Sequence, residues 1–258
     1  MTTASQSTDK PRRRGRPRKA GTSSANPRET IVASAIKLFK EKGYAKTSLS
    51  EISRQVGIDQ SSIYYWFSSK EAILESLFSD QNVKQIIKCI ADTDESYTKK
   101  LFALIIFDVV TKCDLPFDFI ELEALIHNKK SSFEFVLEDY RMVYQGLVSF
   151  IEKGIEAGEF KPCNAGECAV AILSVSEGLQ HHYHSKIRGE LILEASGYTV
   201  QNLSPEEIGC MAGKTVLPSL LTDSPDFCQL AEDTLALLAK LSLEKRLDLP
   251  EENPEANR

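Results

Sequence analysis

Residues 47–78 read TSLSEISRQVGIDQSSIYYWFSSKEAILESLF and form the most informative stretch of the chain. Ser48 and Glu51 have the spacing of a capping box, which predicts that a helix begins there. Gly57 can adopt the left-handed backbone that ends such a helix in a tight turn. A second helix is predicted to begin within about three residues, near Gln60. Two short helices joined by a turn that contains glycine are typical of a helix-turn-helix.

The predicted motif divides its side chains into a buried set and an exposed set. Its small core should consist of Ile52, Val56, Ile58, Ile63 and Phe67. The exposed N-terminal half of the second helix should present Gln60, Ser61, Ser62, Tyr64 and Tyr65. Short polar side chains can reach base edges in the DNA major groove, and glutamine can pair with adenine. We therefore predict that the second helix reads DNA sequence.

Other polar groups of the stretch suit the DNA backbone. The hydroxyl groups of Thr47 and of the two tyrosines, and the ammonium group of Lys70, can bind phosphate oxygens, which sets the register without reading sequence. Lys70 also follows Ser69, where a further helix is predicted to begin and where free backbone amides attract anions. The alternative interpretation is that the aromatic residues are core and that Lys70 is a solvated charge.

The same stretch resembles the DNA-binding domain of the TetR family of bacterial transcription regulators. The residues that carry the resemblance are Thr47, Ile52, Gly57, Ile58, Ser62, Ile63, Tyr64, Tyr65, Phe67, Lys70 and Leu74. Ser53 and Val56 depart from the family pattern, in which alanine is usual at both positions, and Trp66 stands where histidine is common. The resemblance covers residues 28–78 and implies that Trp66 also lies at the DNA. It further implies a C-terminal helical domain that binds a ligand and pairs with a second subunit.

The chain before the motif combines a basic arm with one predicted helix, which begins at Pro27 and ends at Gly43. Residues 1–26 are rich in Ser, Pro, Gly and Arg and lack hydrophobic periodicity, which predicts disorder. Within this arm the run Arg14-Gly15-Arg16-Pro17 resembles an AT-hook, in which arginines enter the minor groove of A·T tracts. The alternative is that Arg14 and Arg16 only add non-specific affinity for phosphate.

Charge is segregated along the chain, although the net charge is only -6. Residues 1–28 carry eight Lys or Arg and one acidic residue, and residues 29–78 carry six of each sign. Residues 79–258 carry 17 basic and 30 acidic residues. A basic arm on an acidic body suggests a chain that meets a polyanion at one end only.

The rest of the chain has helical periodicity. The helix that begins at Ser69 is predicted to run to about Ile90. Further helices are predicted over 96–113, 117–128, 132–157, 165–187, 204–221 and 225–246. No segment longer than a few residues alternates with period two, so the predicted fold class is all-α. The predicted domains are a disordered arm (1–26), a three-helix helix-turn-helix domain (27–78), a helical ligand-binding and dimerisation domain (79–249) and a disordered tail (250–258).

Two of these segments offer apolar faces for pairing with a second copy of the chain. Segment 165–187 presents Ala169, Ile172, Leu173, Ser176 and Leu179, and segment 225–246 presents Phe227, Leu230, Thr234, Leu237, Leu238 and Leu241. Together they could form an intermolecular four-helix bundle. The alternative is that the same faces pack inside one chain.

Polar residues between 96 and 187 could orient a small-molecule effector. The candidates are Glu123, His127, Tyr144, Glu177 and His181, and each could instead be a solvated or capping residue. His181 and His184 share a helix face and could ligate a metal ion. No partner ligand lies at a recognised spacing, however, so neither a metal nor a cofactor is predicted. No enzyme motif stands out, so the chain is not predicted to be an enzyme.

The composition indicates where in the cell the protein is expected. With 42% hydrophobic residues the chain can bury an ordinary core, and no stretch approaches the ~20 apolar residues of a membrane span. The first residues lack the apolar segment of a signal peptide. We therefore expect a cytoplasmic protein without membrane contact, whose six cysteines are buried thiols.

Together these features predict a homodimeric transcriptional repressor that binds a palindromic operator and releases it when a small molecule binds the C-terminal domain. The alternative is an architectural DNA-binding protein without a ligand, which the AT-hook-like arm would suit. A third possibility is an enzyme that retains a DNA-binding domain, and nothing in the sequence supports it.

Overall fold

The computed structural model describes residues 26–117, 119–128, 132–187 and 203–247, and within these ranges the fold is all-α, as predicted. Eleven helices occupy the described ranges. They are α1 (Pro27–Lys42), α2 (Leu49–Val56), α3 (Gln60–Trp66), α4 (Lys70–Gln81), α5 (Val83–Asp92), α6 (Tyr97–Asp114), α7 (Phe119–Asn128), α8 (Glu134–Glu156), α9 (Ala165–Ile187), α10 (Pro205–Leu220) and α11 (Phe227–Leu247). An isolated antiparallel bridge joins Phe160 to Leu221. Among these helices we find none with the length and apolar character that a membrane span requires.

The predicted ends of the first two helices are confirmed. Pro27 is the first residue of α1, and Gly43 follows its end with a φ of 85°. At the start of α2 the Ser48 hydroxyl accepts a hydrogen bond from the amide of Glu51 (3.3 Å), and the Glu51 carboxylate accepts one from the amide of Ser48 (3.0 Å). Lys42 of α1 also pairs with Glu51, and this contact together with Ser48 lowers the pKa of Glu51 to about 2.

The single helix predicted from Ser69 to about Ile90 is wrong, because two helices, α4 and α5, occupy this stretch. Asn82 separates them with a left-handed backbone (φ 45°, ψ 55°). Asparagine adopts this conformation more readily than most residues that carry a Cβ atom, so the helix can break there without a glycine. A single rigid rod therefore does not run from the helix-turn-helix into the C-terminal helices.

Helix α6 is the central element of the C-terminal part. Every residue from Lys100 to Ile106 is buried, and so are Asp108 and Val109. The helices packed around it are α5, α8, α9, α10 and α11. A helix that is apolar on all sides must be enclosed in this way, since any exposed face would leave apolar surface in water. The same enclosure also buries two charged residues of α6, Lys100 and Asp108.

A second apolar core joins the helix-turn-helix to the C-terminal helices. We call it the junction core, and its buried members are Ile31, Ala35, Leu38, Phe39, Tyr44, Ile52, Ile63, Phe67, Ile73, Leu74, Phe78, Leu115, Phe117, Leu122, Phe133 and Val136. The ring of Tyr44 lies in its middle, with its centroid 6.2 Å from the ring centroids of both Phe117 and Phe133. The Tyr44 amide also donates a hydrogen bond to Oε1 of Glu121 in α7 (3.2 Å). Phe117, Glu121 and Phe133 are therefore in direct contact with the segment that joins α1 to α2.

The six cysteines are free thiols, but the expectation that all are buried is wrong. Cys113 and Cys210 are buried and Cys89 and Cys168 are half-buried, whereas Cys163 and Cys228 are exposed. The two exposed thiols stand at helix ends, Cys163 before α9 and Cys228 in the first turn of α11. Helical periodicity within apolar segments predicts burial poorly at such positions, because the ends of helices project from the core.

The approach of α10 to α6 leads to a stability prediction at Gly213. A Cβ atom there would lie 2.1 Å from Cε2 of Phe102, whose side chain is fully buried. We expect Gly213→Ala to lower the free energy of unfolding by about 1–3 kcal/mol, because Phe102 must leave its rotamer. Denaturant unfolding measures the change. The exposed neighbour Lys214 supplies the control, and Lys214→Ala should stay within about 0.5 kcal/mol of the wild type. Equal stabilities of the Gly213→Ala and Lys214→Ala variants would show that α6 and α10 are not so close.

Candidate nucleic-acid interface and effector region

The turn between α2 and α3 has the geometry of a helix-turn-helix. Gly57 ends α2 in the left-handed conformation (φ 78°, ψ 29°) and donates its amide to the carbonyl of Ser53 (2.9 Å). The amide of Ile58 bonds to the same carbonyl (3.0 Å), which closes the turn. A side chain other than glycine would be strained at this φ. The turn thus sets the angle at which α3 leaves α2.

Helix α3 places its side chains as the sequence predicted. Ile63 and Phe67 are buried in the junction core, while Val56 and Ile58 pack against it half-buried. The outward residues are Gln60, Ser61, Ser62, Tyr64, Tyr65 and Trp66. Tyr65 is 79% exposed and stacks edge-on against Trp66, which is 38% exposed. Large aromatic side chains that are this exposed on a short helix either remain in solvent or contact a partner molecule.

Two of the predicted DNA-backbone ligands are held inside the domain. Thr47 is buried, and its hydroxyl lies 2.9 Å from the carbonyl oxygen of Gly43, to which it donates. The Lys70 ammonium donates to the carbonyl oxygens of Tyr44 (2.6 Å) and Thr47 (2.8 Å). It also lies 4.0 Å from the centroid of the Tyr44 ring, a cation–π contact. These hydrogen bonds give Thr47 and Lys70 a structural role. Contact of either residue with a phosphate stays a prediction.

The start of α4 is partly capped by the protein itself. The Ser69 hydroxyl accepts a hydrogen bond from the amide of Ala72 (3.1 Å), which satisfies one of the donors that an anion would use. A basic residue that sequence reasoning missed lies close to α3, because the Arg28 guanidinium is 5.2 Å from the centroid of the Phe67 ring. Its position in the first turn of α1 did not indicate this, since only the tertiary packing brings α1 to the end of α3. Arg14 and Arg16 lie outside the described residues.

Tyr144 lies apart from the other predicted effector residues, whereas Glu123 is close enough to Glu177 to raise its pKa. Glu123 and His127 of α7 are exposed, while Tyr144, Glu177 and His181 are half-buried. Tyr144 of α8 lies beside the start of α9, where its hydroxyl is 3.0 Å from the place that a Cβ atom of Gly166 would take. Glu177 is eleven residues further along α9, roughly 16 Å at 1.5 Å per residue. The structure thus separates Tyr144 from Glu177.

The apolar faces expected to pair with a second chain are largely used inside the chain. Ala169, Ile172, Leu173 and Ser176 of α9 are buried against α6, α8 and α10. In α11 the members Thr234 and Leu241 are buried, and Phe227, Leu230, Leu237 and Leu238 pack on the same core. Most of these side chains therefore pack inside the chain, as the alternative interpretation expected, and their pairing with a second chain stays a prediction. The opposite side of α9 is exposed instead, and we call Val170, Ala171, Ser174 and Gly178 the outer face of α9.

The histidine cluster takes part in helix packing. His184 is buried, and its Nε2 lies 3.1 Å from the carbonyl oxygen of Lys112 on α6. His181 and His182 are half-buried, with ring centroids 5.7 Å apart. Across the part of the chain that the structure describes, we find no three His, Cys, Asp or Glu side chains grouped as metal ligands.

A group of interior polar residues lies where α6, α8 and α9 meet. We call it the buried polar cluster, and it consists of the buried residues Asp108 and Gln180 and the half-buried residues Lys112, Tyr140 and Glu177. Of these, only Glu177 was predicted from the sequence as a functional residue. A signal for two others was present, because Asp108 and Lys112 stand four residues apart in a mostly apolar part of helix α6. Their burial could not be predicted without knowing that α6 is enclosed on every side.

The fold and its exposed helix define a class of protein. A helix-turn-helix with polar and aromatic residues on the outer side of its second helix, joined to a helical bundle, is the architecture of a DNA-binding regulator. Residues 31–77 match the model of the family described as bacterial regulatory proteins, tetR family. Residues 31–77 are therefore a DNA-binding domain of the TetR family of transcriptional regulators.

Two relatives show how far the sequence similarity extends. The fatty acid metabolism regulator protein of Bacillus subtilis is 28% identical over 144 residues, which cover 51% of this chain and 69% of that protein. The negative transcriptional regulator IcaR of the Staphylococcus aureus biofilm operon icaADBC is 40% identical over 65 residues. This second match covers only 25% of this chain and 30% of IcaR.

Solved structures extend the likeness in fold over most of the chain. AmtR of Mycobacterium smegmatis aligns with a TM-score of 0.57 over 87% of this chain and 98% of its own, at 23% identity. AibR, solved with isovaleryl coenzyme A and operator DNA, aligns with a TM-score of 0.53 over 75% of this chain and 99% of its own, at 15% identity. At these identities the likeness concerns the fold alone.

Proposed function

We propose that this protein is a homodimeric repressor that binds a palindromic operator through α3 and releases it when a small molecule binds among α6–α9. Residues 27–78 would form the DNA-binding domain, and residues 79–249 would form the effector and dimerisation domain, acting in the cytoplasm. The observation that carries the proposal is the outward polar and aromatic surface of α3. Repression is supported by the relative IcaR, which is named as a negative regulator, and effector binding by AibR, which was solved with an acyl coenzyme A.

The junction core supports communication between the two domains. A small cavity of about 40 Å³ is lined by Phe78, Leu115, Leu122 and Val136 of the junction core and by residues of α6 and α8, among them Asp108, Lys112 and Tyr140. A molecule that enlarges this cavity would displace side chains that also hold the helix-turn-helix. Because α4 and α5 are separate helices, this shared wall replaces a tilting rod as the path of communication. Reciprocity then requires that operator weaken effector binding by the same factor.

The way in which a helix-turn-helix binds two half-sites on DNA supports dimerisation. One α3 helix of seven residues reads only a half-site, and two half-sites lie roughly 34–36 Å apart, or a multiple of that spacing. A second copy must therefore hold its own α3 at that distance. The outer face of α9 is the surface we assign to this contact, because its small side chains allow two helices to approach closely.

The single tryptophan allows a direct test of the α3 surface. We expect an operator selected from random-sequence DNA to change the emission of Trp66, because Trp66 lies on α3 and is 38% exposed in the free protein. The measurement is a fluorescence titration of the full-length protein. Scrambled DNA at high salt is the control, since it should dissociate and leave the spectrum unchanged. If saturating operator left the emission unchanged, α3 would not be the DNA-contacting helix.

A further inference from the structure

Side chains of the buried polar cluster contact one another through an ion pair and a hydrogen bond. Lys112 Nζ lies 2.8 Å from Oδ1 of Asp108, and the Asp108 side chain is only 4% exposed. The Tyr140 hydroxyl bonds to the carboxyl group of Glu177, and this contact joins α8 to α9. Charged and polar groups placed inside an otherwise apolar bundle destabilise it unless each atom finds a partner. The cluster therefore needs an explanation beyond packing.

Two atoms of the cluster lack that partner. Oε1 of Glu177 and Nε2 of Gln180 are both buried without a hydrogen bond, and Gln180 is only 1% exposed. Both residues lie on the side of α9 that faces its neighbours, because Glu177 contacts Tyr140 and His184, one turn beyond Gln180, contacts the carbonyl of Lys112. A buried acceptor and a buried donor one helical turn apart are suited to a bound molecule that carries both a donor and an acceptor.

The sign of the charge around the cluster indicates which charge the bound molecule should have. Lys112 lowers the pKa of Glu177 but is already paired with Asp108, while Asp108 and Glu123 raise that pKa. Asp139 lines the same cavity as Asp108 and Lys112. Burial raises the pKa of Glu177, and burial together with neighbouring Glu138 raises that of Asp139 to about 6. Both carboxyl groups thus lack a sufficient positive neighbour. A cation would supply one, whereas an anion would add to the excess of negative charge.

We propose that the effector is a small primary amine with a short aliphatic body and a hydrogen-bond acceptor, whose ammonium group binds Glu177 beside Asp108 and whose acceptor binds Gln180. The aliphatic body extends into the neighbouring cavity, which is lined by Asp108, Lys112 and Tyr140 of the cluster and by Val83, Phe107, Val143 and members of the junction core. At about 40 Å³ the cavity holds little more than one water molecule, so binding must enlarge it. The inference rests on the proposed function, because it identifies the effector of the same regulator.

A thermal-shift comparison on the full-length protein tests the chemical class. The probes are ethanolamine, 3-aminopropanol and propylamine, with propanol and propionate as neutral and anionic counterparts, all at matched ionic strength. We expect at least one amino alcohol to raise the Tm by several degrees at saturation, because it binds only the folded state. Propanol and propionate should not. Absence of any shift with the amines, or equal shifts with propanol, would overturn the inference and leave a bound water as the occupant.

Variants link the response to the cluster. Glu177→Gln keeps the size of the side chain and an oxygen for Tyr140, and it should weaken the amine response at least tenfold. Glu232→Gln on the exposed side of α11 is the matched control and should keep the full response. A Glu177→Gln variant with wild-type amine affinity would overturn the site. Operator binding by gel shift is measured in parallel, and operator release by a compound of another class would refute the amine while the proposed regulator stands.

Discussion

Replacing Lys70 with alanine should lower the free energy of unfolding by about 2–4 kcal/mol. The Lys70 ammonium donates two short hydrogen bonds to the carbonyls of Tyr44 and Thr47 and lies over the Tyr44 ring. Alanine would leave two carbonyl oxygens at the base of α2 without their charged donor. Because Tyr44 also occupies the middle of the junction core, the loss should loosen both the helix-turn-helix and its contact with Phe117 and Phe133.

Denaturant unfolding and operator titrations over a range of salt concentrations measure this prediction. Lys46→Ala is the matched control, because Lys46 is an exposed lysine in the same domain. It removes the same charge and should leave the free energy of unfolding within about 0.5 kcal/mol of the wild type. If Lys70 also binds a phosphate, its replacement will lower the salt slope of DNA binding by about one. Unchanged stability of Lys70→Ala would contradict the internal role of this lysine.

Ser174→Arg should convert the dimer to a monomer and weaken operator binding by roughly 100-fold or more. Ser174 lies in the outer face of α9, between Ala171 and Gly178, and an arginine there would keep two helices from approaching. A monomer binds one half-site at a time and loses the high effective concentration that the first half-site gives the second. The substitution should leave the fold intact because the position is exposed.

Sedimentation gives the oligomeric state, and gel shifts on the full operator and on a single half-site give the affinities. Gln145→Arg adds the same side chain to an exposed position of α8 and should remain dimeric with normal operator affinity. The affinity of Ser174→Arg for a single half-site should match that of the wild type. A Ser174→Arg protein that still sediments as a dimer would move the interface away from α9.

Local signals in the chain were sufficient for the helix-turn-helix. Ser48, Glu51 and Gly57 act on backbone groups within four residues of themselves, so the capping box and the turn form wherever the chain is placed. The alternation of inward and outward residues on α3 follows from helix geometry once Ile63 and Phe67 are taken as core. The same argument explains why the helix bounds from α6 onward were predicted within about two residues.

The faces of the C-terminal helices could not be assigned in this way. Helix α9 carries small or apolar residues on both sides, such as Ile172 on one and Val170 on the other, so periodicity does not say which side is enclosed. Packing against α6, α8 and α10 buries Ile172 and leaves Val170 55% exposed. The choice depends on contacts between residues far apart in the chain, which a local pattern does not contain.

Sequence alone was thus enough to establish an all-α fold, a DNA-binding motif and the residues on its outer surface, because these properties arise from interactions within one or two helical turns. The inward role of Lys70, the junction core around Tyr44 and the buried polar cluster required the tertiary structure. Each of them depends on which helix surrounds which. Whether Asp108 is a solvated charge or part of an interior site is decided by the helices that enclose α6, and its own neighbours in the sequence carry no information about them.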